Sequence, residues 1–441
     1  MAGERYYRTR IADHEHGSLA GPRPARAVHR RGCLPGLLLL ALLPAGAHTE
    51  TATMPDPRIE EASALMHAFA ARTGLTSAQP ARRYLWTDAF AVCNDLGLAR
   101  VTGDPAYTAR ARALVGQVHR TLGRHRADDR RTGWISGLDE AAGAAHPTRG
   151  GLRIGKELPE RRPGEPIDER LEWERDGQYF HYLTRWMHAL DQLTRSTREP
   201  QFTGWARELA QTAFDAFVYR RAARDPWRMA WKMSIDLKRV LVSSMGQHDP
   251  LDGYISNLQL LSTARTLPGP DGGPDLHEAT QVYATMLQHS AWTTADPLGI
   301  GGLLVDAWRV QQLAQQGAVP QAQLVERLLE SALAGLRHYV QAGELTRPAG
   351  HRLAFRELGL AIGLHAAERL QHAAGQEAYP PRLRTLIETL MSFLPVRDAI
   401  ETFWREPAHQ RTDTWREHED INAVMLATSL VPGGYLDLPP L

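Results

Sequence analysis

The chain is 441 residues long, with 43% hydrophobic and 23% charged residues, a composition that supports a sizeable core and excludes a disordered or collagen-like chain. Lys and Arg number 51 against 50 Asp and Glu, a formal net charge of +1, without the basic excess of an electrostatic nucleic-acid binder. Two cysteines, Cys33 and Cys93, exclude a disulfide framework and a cysteine-rich zinc site.

Residues 1–30 are rich in Arg, His, Gly and Pro and show no apolar period. Arg30-Arg31 precede an apolar run from Leu37 to Leu43 and the small-residue stretch Pro44-Ala45-Gly46-Ala47. This order resembles a secretory signal peptide, and the run is too short to span a bilayer. The competing reading starts translation at Met54, where Met54-Pro55-Asp56 opens directly onto a helical pattern. Segment 1–53 is thus a leader or a mis-assigned start. Export follows from the first reading and a cytoplasmic location from the second; in both, 54–441 is a single catalytic-type domain without an integral membrane span.

From residue 57 onward the apolar spacing is helical, with almost no alternation of the strand type. The spacing predicts helices at about 57–73, 86–101 and 105–123. The break Thr102-Gly103-Asp104-Pro105 ends one helix at Gly and starts the next at Pro. A polar stretch from 124 to 175 is too long for a plain connector and is expected to be functional or to carry short strands. Helices follow at about 177–196 and 201–220, separated by Thr197-Arg198-Glu199-Pro200, and then at 250–265, 275–289, 299–316, 321–342, 353–373, 381–395 and 418–430.

The members of successive pairs differ in kind. Those starting at 86, 177, 250, 299, 353 and 418 are rich in Leu, Ala, Gly, Met and His, which suits burial on most sides. Their partners carry Arg, Glu and Gln on one face, which suits an outer layer. Twelve helices alternating in this way resemble the (α/α)6 toroid of the six-hairpin glycosidase superfamily, an architecture shared with the N-acylglucosamine 2-epimerase family. The expected fold class is therefore all-α, six helical hairpins closed into a ring.

In such a ring the amino ends of the inner helices gather at one mouth, where free backbone N–H groups favour a polar site. Three blocks stand there in the sequence: Trp173 to Tyr182, Gln247 to Gly253, and Trp415 to Asn422. The leading expectation is a glycoside hydrolase with paired carboxylates as acid and base: Asp176 with Asp249, and Asp88 and Glu419 as substitutes. Arg175, Gln178, Tyr179, His181, His248, Trp86, Trp173, Trp231, Arg356, Glu357 and His418 are the expected substrate contacts. Asp104 and Asp296 are read as a turn residue and a helix cap.

Seven of the eleven tryptophans (134, 173, 227, 231, 292, 404 and 415) fall in or beside connectors. A Trp offers a flat apolar face and one N–H donor, which suits sugar C–H faces. The expected ligand is accordingly a small molecule or oligosaccharide. A second reading is a sugar epimerase or isomerase using histidine acid/base chemistry, with His181, His248, His365 and His418 on or just before inner helices. A third is a sugar- or peptide-binding toroid without turnover, in which the acidic residues are caps. The Gln247 to Gly253 block lacks the spacing of a calcium loop or helical zinc motif, so neither metal nor cofactor is expected. No Gly-x-Ser-x-Gly elbow, phosphate loop or dinucleotide fingerprint occurs, and Cys93 in an apolar helix reads as a core residue.

Overall fold

The computed structural model describes residues 56–268, 273–288, 290–317, 322–375 and 379–441; the leader assigned to 1–53 lies outside them. Thirteen long helices carry the fold: α1 (Pro57–Arg72), α2 (Leu85–Thr102), α3 (Pro105–Leu122), α4 (Phe180–Thr197), α5 (Pro200–Phe217), α6 (Asp249–Thr266), α7 (His277–Leu287), α8 (Pro297–Gln315), α9 (Ala322–Gln341), α10 (Ala354–Ala374), α11 (Pro381–Met391), α12 (Leu394–Arg405) and α13 (Glu419–Leu430).

Six of them form an inner ring. Helix α2 packs on α4, α4 on α6, α6 on α8, α8 on α10, α10 on α13, and α13 returns to α2. The others stand outside: α1 against α13 and α2, α3 against α2 and α4, α5 against α4 and α6, α7 against α6, α9 against α8, and α11 and α12 against α10. The ring is the (α/α)6 toroid expected from the helix pattern.

The division into layers follows from the side chains. In α2 every residue from Leu85 to Leu98 is buried, as a helix with neighbours on all sides requires. In α3 burial falls on Tyr107, Ala111, Leu114, Val115, Val118 and Leu122, the single stripe of an outer helix. Inner helices α8 and α10 approach so closely that a Cβ on Gly301 would lie 2.0 Å from the Gly359 carbonyl oxygen, and one on Gly363 would lie 2.5 Å from the Gly301 Cα. Only glycine permits that contact.

The α2–α3 break is built as read. Gly103 takes the left-handed conformation (φ 73°), and the Asp104 carboxylate accepts the Ala106 N–H ahead of Pro105. The α4–α5 break repeats the shape with Arg198 at φ 63° in the glycine position.

Two helices differ from the sequence reading. Helix α4 starts at Phe180 rather than 177, because Gln178–Tyr179 form β1, antiparallel to β4 (Lys232–Met233). The sheet order is β1-β4-β5, with β5 at Val240–Val242, while β2 (Val218–Tyr219) and β3 (Arg228–Met229) make a separate hairpin. The outer helix expected at 381–395 is two helices, the second running to Arg405 from a turn where Pro395 sits in the first helical positions; Pro has no N–H to continue the first ladder. The stretch 124–175 carries two short helices, Glu140–Ala145 and Glu169–Glu174, and isolated bridges.

The carboxy-terminal segment closes the end of the ring opposite the mouth. Gln192 Nε2 donates to the carbonyls of Gly434 and Asp437, His188 Nε2 to that of Tyr435, and Gln312 Nε2 to that of Leu436, while Gln312 Oε1 accepts the Leu438 N–H. Gln192 and Gln312 lie in the later halves of α4 and α8, and His188 lies at the middle of α4. The Tyr435 ring stacks on Phe90 at 4.4 Å. The amino ends of the inner helices gather at the other end of the ring, its mouth. Among the described residues no helix is long and apolar enough to cross a membrane.

Candidate functional site

The mouth is walled on one side by aromatic rings. Tyr84 and Trp86 come from the start of α2, and the Tyr84 hydroxyl is 2.6 Å from that of Tyr182. Strand pairing of β1 with β4 sets Tyr179 beside Trp231 (ring centroids 5.6 Å), and Trp231 meets Trp173 edge-on at 4.4 Å. His181, in the first turn of α4, lies within this wall. Its ring stacks near Tyr179 at 5.3 Å and Trp231 at 6.0 Å, and meets the edges of Trp86 and Tyr182.

His181 Nδ1 is buried and has no hydrogen-bond partner among the described residues, whereas 24% of the side chain remains exposed. The exposed part is therefore the other edge of the imidazole. The nearest acidic atom to Nδ1 is Asp249 Oδ1 at 3.8 Å. Burial lowers the His181 pKa to about 4, so the ring is neutral at pH 7.

Asp249 opens α6 and is 3% exposed. Its Oδ2 accepts the Gly246 N–H at 3.2 Å. Burial, with the nearby Asp252 carboxylate, pushes its pKa up to about 8 against the opposing pull of that N–H and Arg185. Asp252, one turn on, accepts two contacts from Arg185 at 3.2 and 3.4 Å, and the Arg185 guanidinium lies over the Trp86 ring. His248 Nε2 donates to the Trp292 carbonyl at 3.1 Å, which leaves Nδ1 as the acceptor in the neutral ring; burial lowers its pKa. His418, before α13, packs edge-on against Phe355, and burial lowers its pKa too.

The other carboxylates expected to react are engaged elsewhere. Asp176, fully buried, accepts the N–H groups of Gly155, Lys156 and Gly177 on Oδ1, and Arg153 (2.8 Å) and Arg126 (3.4 Å) on Oδ2. Both oxygens are spent on tying the 124–175 stretch to α4, which assigns Asp176 to the scaffold rather than to a reacting pair. Asp88 accepts the Tyr84 N–H at 3.0 Å and pairs with buried Arg83 at 3.2 Å, and burial pushes its pKa up to about 7 despite Arg83. Glu419 sits on the outer rim, its side chain 49% exposed, against Arg72.

Several expected substrate contacts are likewise structural. Gln178 is fully buried and bonds the backbone at Gly150, Leu152 and Ile235. Arg175 forms a bidentate pair with Glu165, Arg356 pairs with Asp296 at 2.7 Å, and Glu357 holds Arg352 and the Trp404 indole N–H. Asp296 also caps α8 as expected, accepting the Gly299 N–H. His365 lies midway along α10 and bonds Glu401 of α12 at 2.8 Å, away from the mouth. Of the seven connector tryptophans only Trp173 and Trp231 reach the aromatic wall; Trp292 and Trp404 are wholly buried, and Trp404 is within α12.

Residues the sequence reading passed over include Lys232, whose buried ammonium bonds the carbonyls of Glu172 and Arg175, and the Asp306–Arg309 pair inside α8. A charged pair spaced i, i+3 within an otherwise apolar inner helix was the available signal. A recess of about 860 Å³ opens elsewhere, on the outer wall along α5, lined by residues including His146, Glu208 and Asp215; its imidazole is taken up by Glu208 at 2.5 Å. Among the described residues no cluster of three or more His, Cys, Asp or Glu could hold a metal ion.

No protein-family model matches the chain, and no curated protein matches it in sequence. Solved structures similar to it include a sugar epimerase from a ruminal bacterium (9% identity over 71% of this chain and 75% of that one, TM-score 0.39). A cellobiose 2-epimerase from Bacillus thermoamylovorans is 9% identical (76% and 87% covered, TM-score 0.39). A cellobiose 2-epimerase from Spirochaeta thermophila is 13% identical (86% and 99% covered, TM-score 0.43).

Proposed function

We propose that this chain is a sugar isomerase or epimerase that moves a proton at the carbon next to the carbonyl of an open-chain sugar. The observation that carries the reading is the His181–Asp249 pair, 3.8 Å apart at the amino ends of α4 and α6, where burial lowers the imidazole pKa to about 4 and raises the carboxyl pKa to about 8. Two neighbouring groups whose environments drive their pKa values apart make a base and an acid at one pH. Neutral His181 takes the C–H proton with the edge it exposes; the Asp249 carboxyl donates its proton to the carbonyl oxygen. The product of that step is a neutral enediol, with His181 protonated and Asp249 ionised. Epimerisation is completed when the proton on His181 goes to the other face of the same carbon and Asp249 takes back the proton on the former carbonyl oxygen; isomerisation is completed when His181 protonates the former carbonyl carbon and Asp249 takes the proton of the neighbouring enediol hydroxyl. Half-buried Trp231 and Trp173 offer flat faces to the sugar, and His248, next to Asp249, and His418, before α13, serve as hydroxyl partners.

Paired-carboxylate hydrolysis is less well supported, because Asp176, Asp88 and Glu419 each already have cationic or N–H partners. The test is incubation of a panel of reducing sugars with the purified chain in D2O, read by NMR. Deuterium appearing beside the carbonyl, and lost in His181→Asn with the fold retained, is the expected result. Release of new reducing ends from glycans without deuterium uptake would return the hydrolase reading.

A further inference from the structure

Behind the His181–Asp249 pair the axis of the ring is polar. Arg309 is 2% exposed, yet neither Nη1 nor Nη2 has a hydrogen-bond partner among the described residues. Its nearest anion is Asp306 Oδ1 at 3.7 Å, and that oxygen is itself without a hydrogen-bond partner. Buried Arg83 also leaves Nε and Nη1 without a hydrogen bond among the described residues, but its Nη2 donates to the Thr73 carbonyl and Asp88 lies 3.2 Å from Nη1. Three further arginines are closed tightly. Arg110 holds Asp95 at 2.9 and 2.6 Å, Arg352 holds Glu357 through contacts of 2.6 to 3.1 Å, and Arg195 holds Asp191 at 2.8 Å. A buried guanidinium with two idle donors carries a desolvation cost that a hydrogen-bonding partner would offset.

The surroundings describe that partner. Helix side chains lean toward the amino end of their helix, so Arg309 reaches up the axis toward Asp306 and Arg185, which lie in electrostatic reach of one another and of Asp252. On α6, Ser256 Oγ and Asn257 Nδ2 are also buried and unpartnered. Two guanidiniums, Arg185 and Arg309, face one firmly paired carboxylate, Asp252; burial pushes Asp306 up to about 7 and Asp249 to about 8. Arg185 is taken up by Asp252, whereas Arg309 keeps only the 3.7 Å contact with Asp306, and its two Nη groups present parallel N–H donors, the geometry that matches a carboxylate.

We propose that Arg309, on the ring axis, binds a carboxylate of the ligand, with the unpartnered Ser256 and Asn257 of α6 as candidate further partners, so that the substrate class is a sugar acid. This rests on the sugar reading above and adds a charged group to it. Calorimetric titration of the full chain with glucuronate, glucose and inorganic phosphate tests it. Glucuronate is expected to bind about ten-fold or more tightly than glucose, with Arg309→Gln erasing the difference and Arg309→Lys keeping part of it. Asn257→Leu, which leaves the guanidinium in place, should weaken glucuronate several-fold and serves if Arg309→Gln does not fold. Equal affinity for the two sugars, binding of neither, tighter binding of phosphate, or an unchanged Arg309→Gln would overturn the assignment. Glucuronate binding without deuterium exchange would leave the carboxylate site standing and remove the isomerase reading instead.

Discussion

His181 Nδ1 stands 3.8 Å from Asp249 Oδ1, and the same lack of water that drives the imidazole down to about 4 drives the carboxyl up to about 8. Reaction through this pair needs the base deprotonated and the acid protonated. The rate should therefore rise as pH increases through about 4, hold a plateau, and fall through about 8. The profile of kcat/KM for isomerisation or deuterium exchange checks this. A single limb near 6.5 would point to an unperturbed histidine and remove Asp249 as the acid.

Asp249 should also cost stability. Its folded-state pKa lies above the ordinary carboxylate value near 4, so between pH 4 and 8 the folded chain binds the extra proton and stability falls as pH rises. His181 works the other way between about 4 and 6.5, where the unfolded chain is the one that binds the proton. The two oppose each other up to 6.5, and from there to 8 the Asp249 decline stands alone of this pair, about 2 kcal/mol. Asp249→Asn keeps an acceptor for the Gly246 N–H, so it should be inactive yet more stable at pH 7 by about 1–3 kcal/mol. Urea unfolding at pH 6.5 and 8 decides the matter: an equal loss in variant and wild type would mean that other buried carboxyls, such as Asp88 and Asp306, carry the whole slope.

What could be read from the sequence was what is local. The Thr-Gly-Asp-Pro break needs only four neighbouring residues, and inner and outer helices differ in their own side chains, so the ring was visible. The pair partner of each charged residue was not. Asp176 looked reactive because Trp173, Arg175 and His181 surround it in sequence, but its donors come from Arg126, Arg153 and Gly155, brought back by the 124–175 stretch. Gln178 and Tyr179 read as the first turn of a helix, and only Lys232 and Met233, over fifty residues on, make them a strand. Asp249 and His181 were both selected as site residues, and their mutual position needed the fold.

The Arg198 turn offers a test of backbone strain. At φ 63° it holds a conformation that costs an L-residue with a side chain about 1 kcal/mol, while Gly103 does the same task at φ 73° without that cost. Arg198→Gly should raise stability by about 1 kcal/mol, less whatever its exposed bond to the Pro440 carbonyl contributes. Gly103→Ala should lower it by a similar amount. Thermal melting of the two variants is sufficient, and a loss on Arg198→Gly would show that the Pro440 contact outweighs the strain.

The seal at the closed end of the ring depends on Gln312 more than on its neighbours. Its amide donates to the Leu436 carbonyl at 2.9 Å and accepts the Leu438 N–H at 2.7 Å, both buried, so it serves one residue's C=O and the N–H two residues later. Gln312→Ala leaves both backbone groups without a partner in the interior, at about 1–3 kcal/mol each, and a loss on the order of 3 kcal/mol is expected. Gln316 makes the comparable bond to the Leu438 carbonyl at 2.8 Å from a less buried position, and Gln316→Ala should cost about 1 kcal/mol because water can replace it. The larger loss on Gln312→Ala should come with faster hydrogen exchange at Leu438, whose N–H loses its only acceptor in this contact. Equal losses for the two variants, or an unchanged exchange rate at Leu438, would mean that the Phe90–Tyr435 stack rather than the Gln312 amide holds the tail in place.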